Sequence, residues 1–551
     1  MGKKPLSYLQ KSVENLRSKW LWIIGGVISS LPFSFLLAYC SNNFTSLIGW
    51  GNFFVSILFA ELILWAGWLV LRKESPPKWL KSLYLGAAIL RLLLGALWFV
   101  LLPTQGYGTL AERNGYIMAD AYNRDRTAWR VGNSSLPLTN LVTVRSFRKV
   151  DQYGGFLLLS SAYYRVFDGN RHYPLMMIVL TASFSALAVI FTWAITQRAF
   201  GDHAAKLSAW GIALYPEAVL LGSSQMREAF LIPLICLSIY GLMCLLSDHR
   251  WQSALITFGA LLLTWPFSPP ATGLLLASLI LIGLLAGNIA LFRQKRLWLA
   301  IASATVLVLV GIWVAWQSYV PQSKHNVISV VAWWFKISAG MQARLSILDS
   351  GWIQNILVSI PPWLHFPFLT VYGILRPLLP AALVDASGKP FWQIIAIWRA
   401  LGWTILLAFL LVAPIMAFRK YPNADNHMAR LARGFSLVVW AGIMIASMRA
   451  GADLWDNPRY RAMFSGVQIA LAAWVWVRYR EHHDPWLKHI AVSLGLVLIW
   501  FIPWYLRRYF SFPWPLGDFF HTVLAGGFSV LMYIIIQLWR SKSKKFSGLS
   551  S

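Results

Sequence analysis

The apolar residues of this chain neither alternate with polar ones nor keep to one helical stripe. They run in blocks long enough to cross a bilayer. Blocks near 21–39, 51–71, 82–102, 173–196, 205–222, 229–246, 252–266, 271–291, 298–318, 391–417, 434–448, 462–477, 487–506 and 519–539 predict an all-α polytopic membrane protein of about 14 transmembrane helices. The expected order is a tail (1–20), three spans (21–102), a first large loop (103–172) and a six-span core (173–318). A second loop (319–390), five further spans (391–539) and a short tail (540–551) complete it. The stretch before Trp20 has no small-residue cleavage site, so it is expected to be a cytoplasmic tail and not a signal peptide.

Composition narrows the class. Of 551 residues, 58% are hydrophobic and 12% charged, about half the charged share of an ordinary soluble chain. A soluble enzyme, a disordered chain and a secreted disulfide scaffold are excluded. Cys40, Cys236 and Cys244 lie in or beside apolar blocks and form no metal or redox pair by spacing. The net charge of +28 does not mark a nucleic-acid partner. Its basic residues cluster in short connections such as RKESPPKWLK, RAFGDHAAK and FRQKR, whereas CSNNFTSLIGWG and WPFSPP hold no Lys or Arg. That asymmetry sets orientation by the positive-inside rule and places both termini inside. The 31 Trp suit anchoring at the two membrane interfaces.

Most of the 20 acidic residues fall on the outer side of this topology, among them Glu112, Asp120, Asp125, Asp151, Glu217 and Glu228. Chemistry that needs carboxylates is therefore expected to face outward. The first outer loop contains MADAYNRDRTAW, in which Asp120 and Arg124 share a helix face and Asp125 falls off it. A carboxylate there can serve as a general base, or the helix is merely charge-paired. In LYPEAVLLGSSQMREAF, Pro216 breaks a helix, and Glu217, Arg227 and Glu228 either line an outer cavity or cap helix ends. In RAGADLWDNPRYRAMF, Arg459 and Arg461 flank Tyr460, and Arg376 lies in the Pro-rich GILRPLLP. Guanidinium groups match phosphate oxygens, so these residues are expected to bind a lipid phosphate; Arg449 is read as an interfacial anchor.

Prolines at 361, 362, 367, 377 and 380 argue against an unbroken helix in the second loop and for a re-entrant or broken one. Glu61 and Arg91 sit within spans and are candidates to pair. There is no phosphate-binding Gly-rich loop, no zinc-protease motif and no nucleophile elbow. His482-His483-Asp484 reads as a solvated run.

The stretch 118–240 resembles the GT-C superfamily of membrane glycosyltransferases, which includes protein O-mannosyltransferases and aminoarabinose transferase. The residues that carry the resemblance are ADAYNRDRTAW, DQYGGFLLLSSAYYRVFDGNRHYPL and RAFGDHAAKLSAWGIALYPEAVLLGSSQMREAFLIPLICLSIYGL, with NPRYRAMFSGVQIALAAW later. It implies a GT-C-like fold with helical outer loops and an inverting transferase taking its sugar from a polyprenyl-phosphate carrier. A membrane lipid, glycan or protein would be the acceptor. Asp120 matches the family's catalytic base, but Ala121 stands where many members have a second acid. Asp125, Glu112 and Glu228 are the alternatives for that second carboxylate, and Arg124, Glu217, Arg227, Arg376, Arg459, Tyr460 and Arg461 are the expected substrate contacts. No metal site is assigned, a divalent cation is left open, and the expected location is a bacterial plasma membrane with the site outside. The rival classes are a polysaccharide polymerase or ligase using diphosphate-linked donors, and a transporter or flippase.

Overall fold

The computed structural model describes residues 25–167, 171–248, 251–286, 326–349, 351–377, 379–384, 388–419, 426–513 and 519–547, with isolated positions between 302 and 310. Among the described residues, nine helices are long and apolar enough to cross a membrane. They run Trp50–Glu74, Lys78–Gln105, Pro174–Phe200, Glu228–Asp248, Pro269–Ala286, Pro390–Phe418, His427–Ala450, Trp486–Arg508 and Phe519–Gln537. The chain is a multi-pass helical membrane protein.

Of the other five expected spans, three are broken, short or polar at one end for identifiable reasons, and two lie wholly or partly outside the described residues. Block 205–222 is two helices, Asp202–Leu214 and Pro216–Gly222, because Pro216 has no N–H to continue the ladder. Block 252–266 gives only the Trp251–Thr264 helix, about 21 Å long against a core of about 30 Å. Block 462–477 becomes the Ser465–His482 helix, whose last turns carry Arg478, Arg480 and Glu481. Block 21–39 is described only as the apolar helix Gly25–Ser41. Block 298–318, the tail 1–20 and the last residues of the chain lie outside the described residues apart from isolated positions.

The chain folds as two compact bodies. The first comprises Met1–Ile190, Ala218–Pro233 and Pro266–Ser268. Its core gathers Leu37, Phe53, Phe156, Leu157, Tyr164, Met176 and Phe230. The first large loop is folded here as two main helices, Ala119–Gly132 and Gly155–Phe167, packed along each other. Ala121, Asp125, Ala128 and Gly132 make one buried stripe at spacings of four, three and four. At its end the helices approach closely: a Cβ on Gly132 would lie 3.0 Å from the Ser161 carbonyl oxygen and from Tyr164 Cβ. Arg165 then closes the helix end, its guanidinium donating to the carbonyls of Val131, Gly132, Ser134 and Leu136.

Within a span of this body Arg91 is fully buried, donating to Ala87 and lying against Gly222. Glu61 instead lies against Gly26. The two have different neighbours, and the suggested pairing is not what positions either.

The second body comprises Phe191–Glu217, Leu234–Trp265 and Pro269–Ser551. Helices Asp202–Leu214, Pro390–Phe418, Asn426–Ala450 and Ser465–His482 form its centre. The region expected as a second loop contains a long helix, Val327–Asp349, followed by Gly351–Ser359, Pro362–Leu375 and Leu379–Val384. The Pro362–Leu375 helix opens with Pro at its first position, where the missing N–H costs nothing. It is about 21 Å long, and Pro377 follows its end.

Candidate active site

Two charged centres emerge, one in each body. In the first body Arg124 is the hub. It is 5% exposed, and its guanidinium lies 5.1 Å over the Phe156 ring. Burial pushes it below the usual arginine range; the Asp151 carboxylate counters that most, Arg227 adds to it, and Glu228 and Asp120 oppose it. Residues far apart in the chain thus share one electrostatic neighbourhood: Asp120 and Arg124 from the Ala119–Gly132 helix, Asp151 from the loop, Arg227 and Glu228 from the start of a span. Asp120 is exposed, in the first turn of its helix. Glu228 is fully buried, with Arg227 Nε 3.4 Å from its carboxylate. Asp151 is held by the Leu157 amide at 2.9 Å, in the first turn of the Gly155–Phe167 helix.

Asp125 faces the other way. It is 2% exposed and accepts hydrogen bonds from the Tyr116 and Tyr164 hydroxyls, both at 2.6 Å, with His172 Nε2 at 2.9 Å. Burial and the Asp125 charge push the Tyr116 phenol well above its usual value, so it stays a donor. Trp129 lies against the His172 ring, with centroids 5.2 Å apart. A carboxylate with all these donors is enclosed and already committed. Asp125, which the sequence offers as a catalytic carboxylate, thus ties Tyr116, Tyr164 and His172 together. Glu112 is committed too, in a capping box with Thr109. Tyr116, Tyr164 and His172 carry no sequence signal of their own. The small-residue stripe does: it put Asp125 on a buried face.

The second body brings together Glu217, Arg376, Arg459, Tyr460 and Arg461, and adds Arg399, which the sequence had not singled out. Arg399 Nε is 2.7 Å from Glu217, its guanidinium lies 4.3 Å from the Trp455 ring centroid, and it donates to the Leu454 carbonyl. The sequence had grouped Glu217 with Arg227 and Glu228; its partner is Arg399. Much of this centre braces backbone. The last carbonyls of the Pro362–Leu375 helix are capped by Asn457 Nδ2 at 2.7 Å on Gly373 and by Trp403 Nε1 at 3.0 Å on Ile374. Arg461 donates to the Arg376 carbonyl at 2.6 Å, and Arg376 donates to Ala452. Arg461 is fully buried with its guanidinium 3.4 Å from the Trp403 ring centroid, and burial pushes it down to about 10. The Tyr215 hydroxyl lies beside this guanidinium. Arg459 pairs with Asp456 at 3.1 Å, and the Tyr460 hydroxyl donates to Asp456 at 3.2 Å.

The Glu217–Arg399 pair gives a first expected outcome. Glu217→Ala leaves a buried guanidinium without its carboxylate, which costs about 3 kcal/mol, the lower end for a broken buried pair. Thermal unfolding in nanodiscs reads this as a lowered midpoint, and Arg399→Ala lowers it similarly. Unchanged midpoints in both would remove the pair from the account of stability.

Among the described residues no group of three or more His, Cys, Asp or Glu side chains is placed to hold a metal ion. His482 instead contacts Arg478 and Asp484 contacts Arg419.

This is a polytopic helical protein with a carboxylate–guanidinium cluster built on a folded loop between spans. No protein-family model matches the chain, and no curated protein sequence matches it. Among solved structures, it is similar to the archaeal oligosaccharyltransferase AglB from Archaeoglobus fulgidus, solved in complex with an inhibitory peptide and a dolichol-phosphate. Identity is 12%, the TM-score is 0.38, and the match covers 82% of this chain and 56% of AglB. The chain thus spans little more than half the length of that protein.

Proposed function

We propose that this protein is an integral membrane glycosyltransferase that moves a sugar from a polyprenyl-phosphate carrier to a glycan, lipid or protein acceptor. We place the reaction on the outer face of a bacterial plasma membrane, with both termini inside. The observation that supports this reading is the setting of the buried Arg124, over the Phe156 ring and beside the Gln225 carbonyl on a loop joining two spans, where the charges of Asp120, Asp151, Arg227 and Glu228 all act on it. Such a grouping is costly at the edge of a bilayer and serves chemistry in which a proton is removed while negative charge develops. The sequence resemblance to GT-C enzymes and the missing nucleotide-phosphate loop support the same class.

The proposed step runs as follows. Asp120, the exposed carboxylate, removes the proton of the acceptor hydroxyl. The freed oxygen bonds to the anomeric carbon as that carbon's bond to the phosphate oxygen breaks, with inversion. The polyprenyl phosphate leaves with the bonding electrons, and Arg124 and Arg227 offset its charge. Glu228 keeps Arg227 oriented.

Arg124→Lys tests the cluster. Lysine keeps the charge but cannot span several partners in one plane, so the rate falls by about tenfold to a hundredfold while the protein stays folded. Transfer of radiolabel from polyprenyl-monophosphate sugars in nanodiscs measures it. An unchanged rate would take Arg124 out of the site. Turnover of diphosphate-linked donors alone would favour the polymerase or ligase class.

A further inference from the structure

The first body contains a narrow, partly open cleft lined by Trp98, Phe99, Tyr116, Ala121, Ser224 and Gln225, among others. It has room for about one water-sized group. Most polar groups on its walls are committed elsewhere. The Tyr116 hydroxyl donates to Asp125, Ser224 Oγ donates to the Leu221 carbonyl, and Gln225 Nε2 donates to the Pro174 carbonyl. Gln225 Oε1 is the exception. It is buried and has no hydrogen-bond partner among the described residues, on a residue 4% exposed. The adjoining Arg124, whose Nη1 is 3.4 Å from the Gln225 backbone oxygen, has an unmet Nε–H. A buried acceptor left unmet is costly, and a ligand group that satisfies it gains accordingly.

We infer that this cleft is a subsite for a hydroxyl of a sugar ring. A hydroxyl is small enough for the space and donates to Gln225 Oε1. Hydrogen-bond polarity selects against another occupant: the oxygen of a fully ionised phosphate has no proton to give Gln225 Oε1. The inference deepens the proposed function, because Ala121 on the cleft wall follows Asp120 on the same helix turn. It rests on that reading for the role of the ring, as acceptor or as donor sugar, but not for binding itself.

Saturation-transfer NMR on the full chain in nanodiscs, with a panel of methyl hexopyranosides and pentopyranosides, tests it. Wild-type protein transfers saturation to at least one glycoside. Gln225→Leu, which removes the acceptor, weakens binding by about tenfold, and Ala121→Val, which narrows the cleft, abolishes it. If Gln225→Leu fails to fold, Ala121→Val carries the comparison. No saturation in the wild type, or equal saturation in all three, would mean that water is the only occupant and would overturn the inference. In the radiolabel assay, Gln225→Leu raises KM for whichever substrate supplies the ring and leaves kcat nearly unchanged. Glycoside binding without any transfer would remove the transferase reading and leave the subsite. Transfer with no saturation and unchanged KM values would do the reverse.

Discussion

Asp120→Asn removes sugar transfer, lowering the rate by about 10²–10⁴-fold, the range a positioned general base contributes. The change replaces one oxygen by an amide on an exposed side chain, so the fold is retained and thermal unfolding shifts by less than about 0.5 kcal/mol. The contrast between lost rate and kept stability is the informative part. Asp120 faces Arg124 in charge, and Arg124 is in turn under the influence of Asp151, Arg227 and Glu228. Removing one carboxylate from that balance leaves two. A fall in kcat with KM for the lipid donor nearly unchanged is expected if Asp120 acts on the proton and not on donor binding. An Asp120→Asn protein that folds and transfers sugar at the normal rate would remove Asp120 from the mechanism.

Asp125→Ala behaves in the opposite way. Its carboxylate is the shared acceptor for the Tyr116 and Tyr164 hydroxyls and the partner of His172. Deleting it leaves two buried hydroxyls without their acceptor and costs about 2–5 kcal/mol. The whole arrangement holds the Ala119–Gly132 helix to the Gly155–Phe167 helix and to the residues just before the Pro174–Phe200 span. Asp125→Ala is therefore expected to loosen the first loop, read as faster amide exchange and easier proteolysis there, with activity lost only as a consequence. Asp125→Asn keeps one acceptor oxygen and is expected to be milder. If Asp125→Ala left exchange and unfolding unchanged but stopped transfer, Asp125 would be a catalytic acid after all.

The difference between these two aspartates shows what was legible in the sequence. The membrane class was, because unbroken apolar blocks and one-sided basic loops are set by the bilayer itself. Helix ends were less so: Pro216 was visible, yet its division of block 205–222 into two helices depends on where the chain turns. The Asp120–Arg124 face followed from helical spacing alone. That Asp125 is enclosed follows from the same spacing, since Ala121, Ala128 and Gly132 share its stripe, and weighing small residues as a buried face would have found it. Arg227 and Glu228 could be named as candidates, but their meeting with Arg124 is a tertiary event about a hundred residues away in sequence, which no local rule supplies. Arg399 was hidden for another reason. It sits inside the apolar Pro390–Phe418 helix, and Glu217, Trp455 and the Leu454 carbonyl, all distant in sequence, give it a role. The arginines at 376 and 461 were read for phosphate because of their type. In the fold Arg461 also donates to the Gly373 and Arg376 carbonyls at a helix end, and Arg376 to the Ala452 carbonyl in a turn, uses that sequence cannot distinguish.

The most direct test of the central claim uses the purified full chain in nanodiscs, radiolabelled polyprenyl-monophosphate sugars and a cell-envelope extract, with Asp120→Asn alongside. The account predicts that label moves to an acceptor with wild-type protein and stays on the lipid with the variant, both proteins being equally folded. Label that never leaves a monophosphate donor, or leaves it equally well without Asp120, would contradict it.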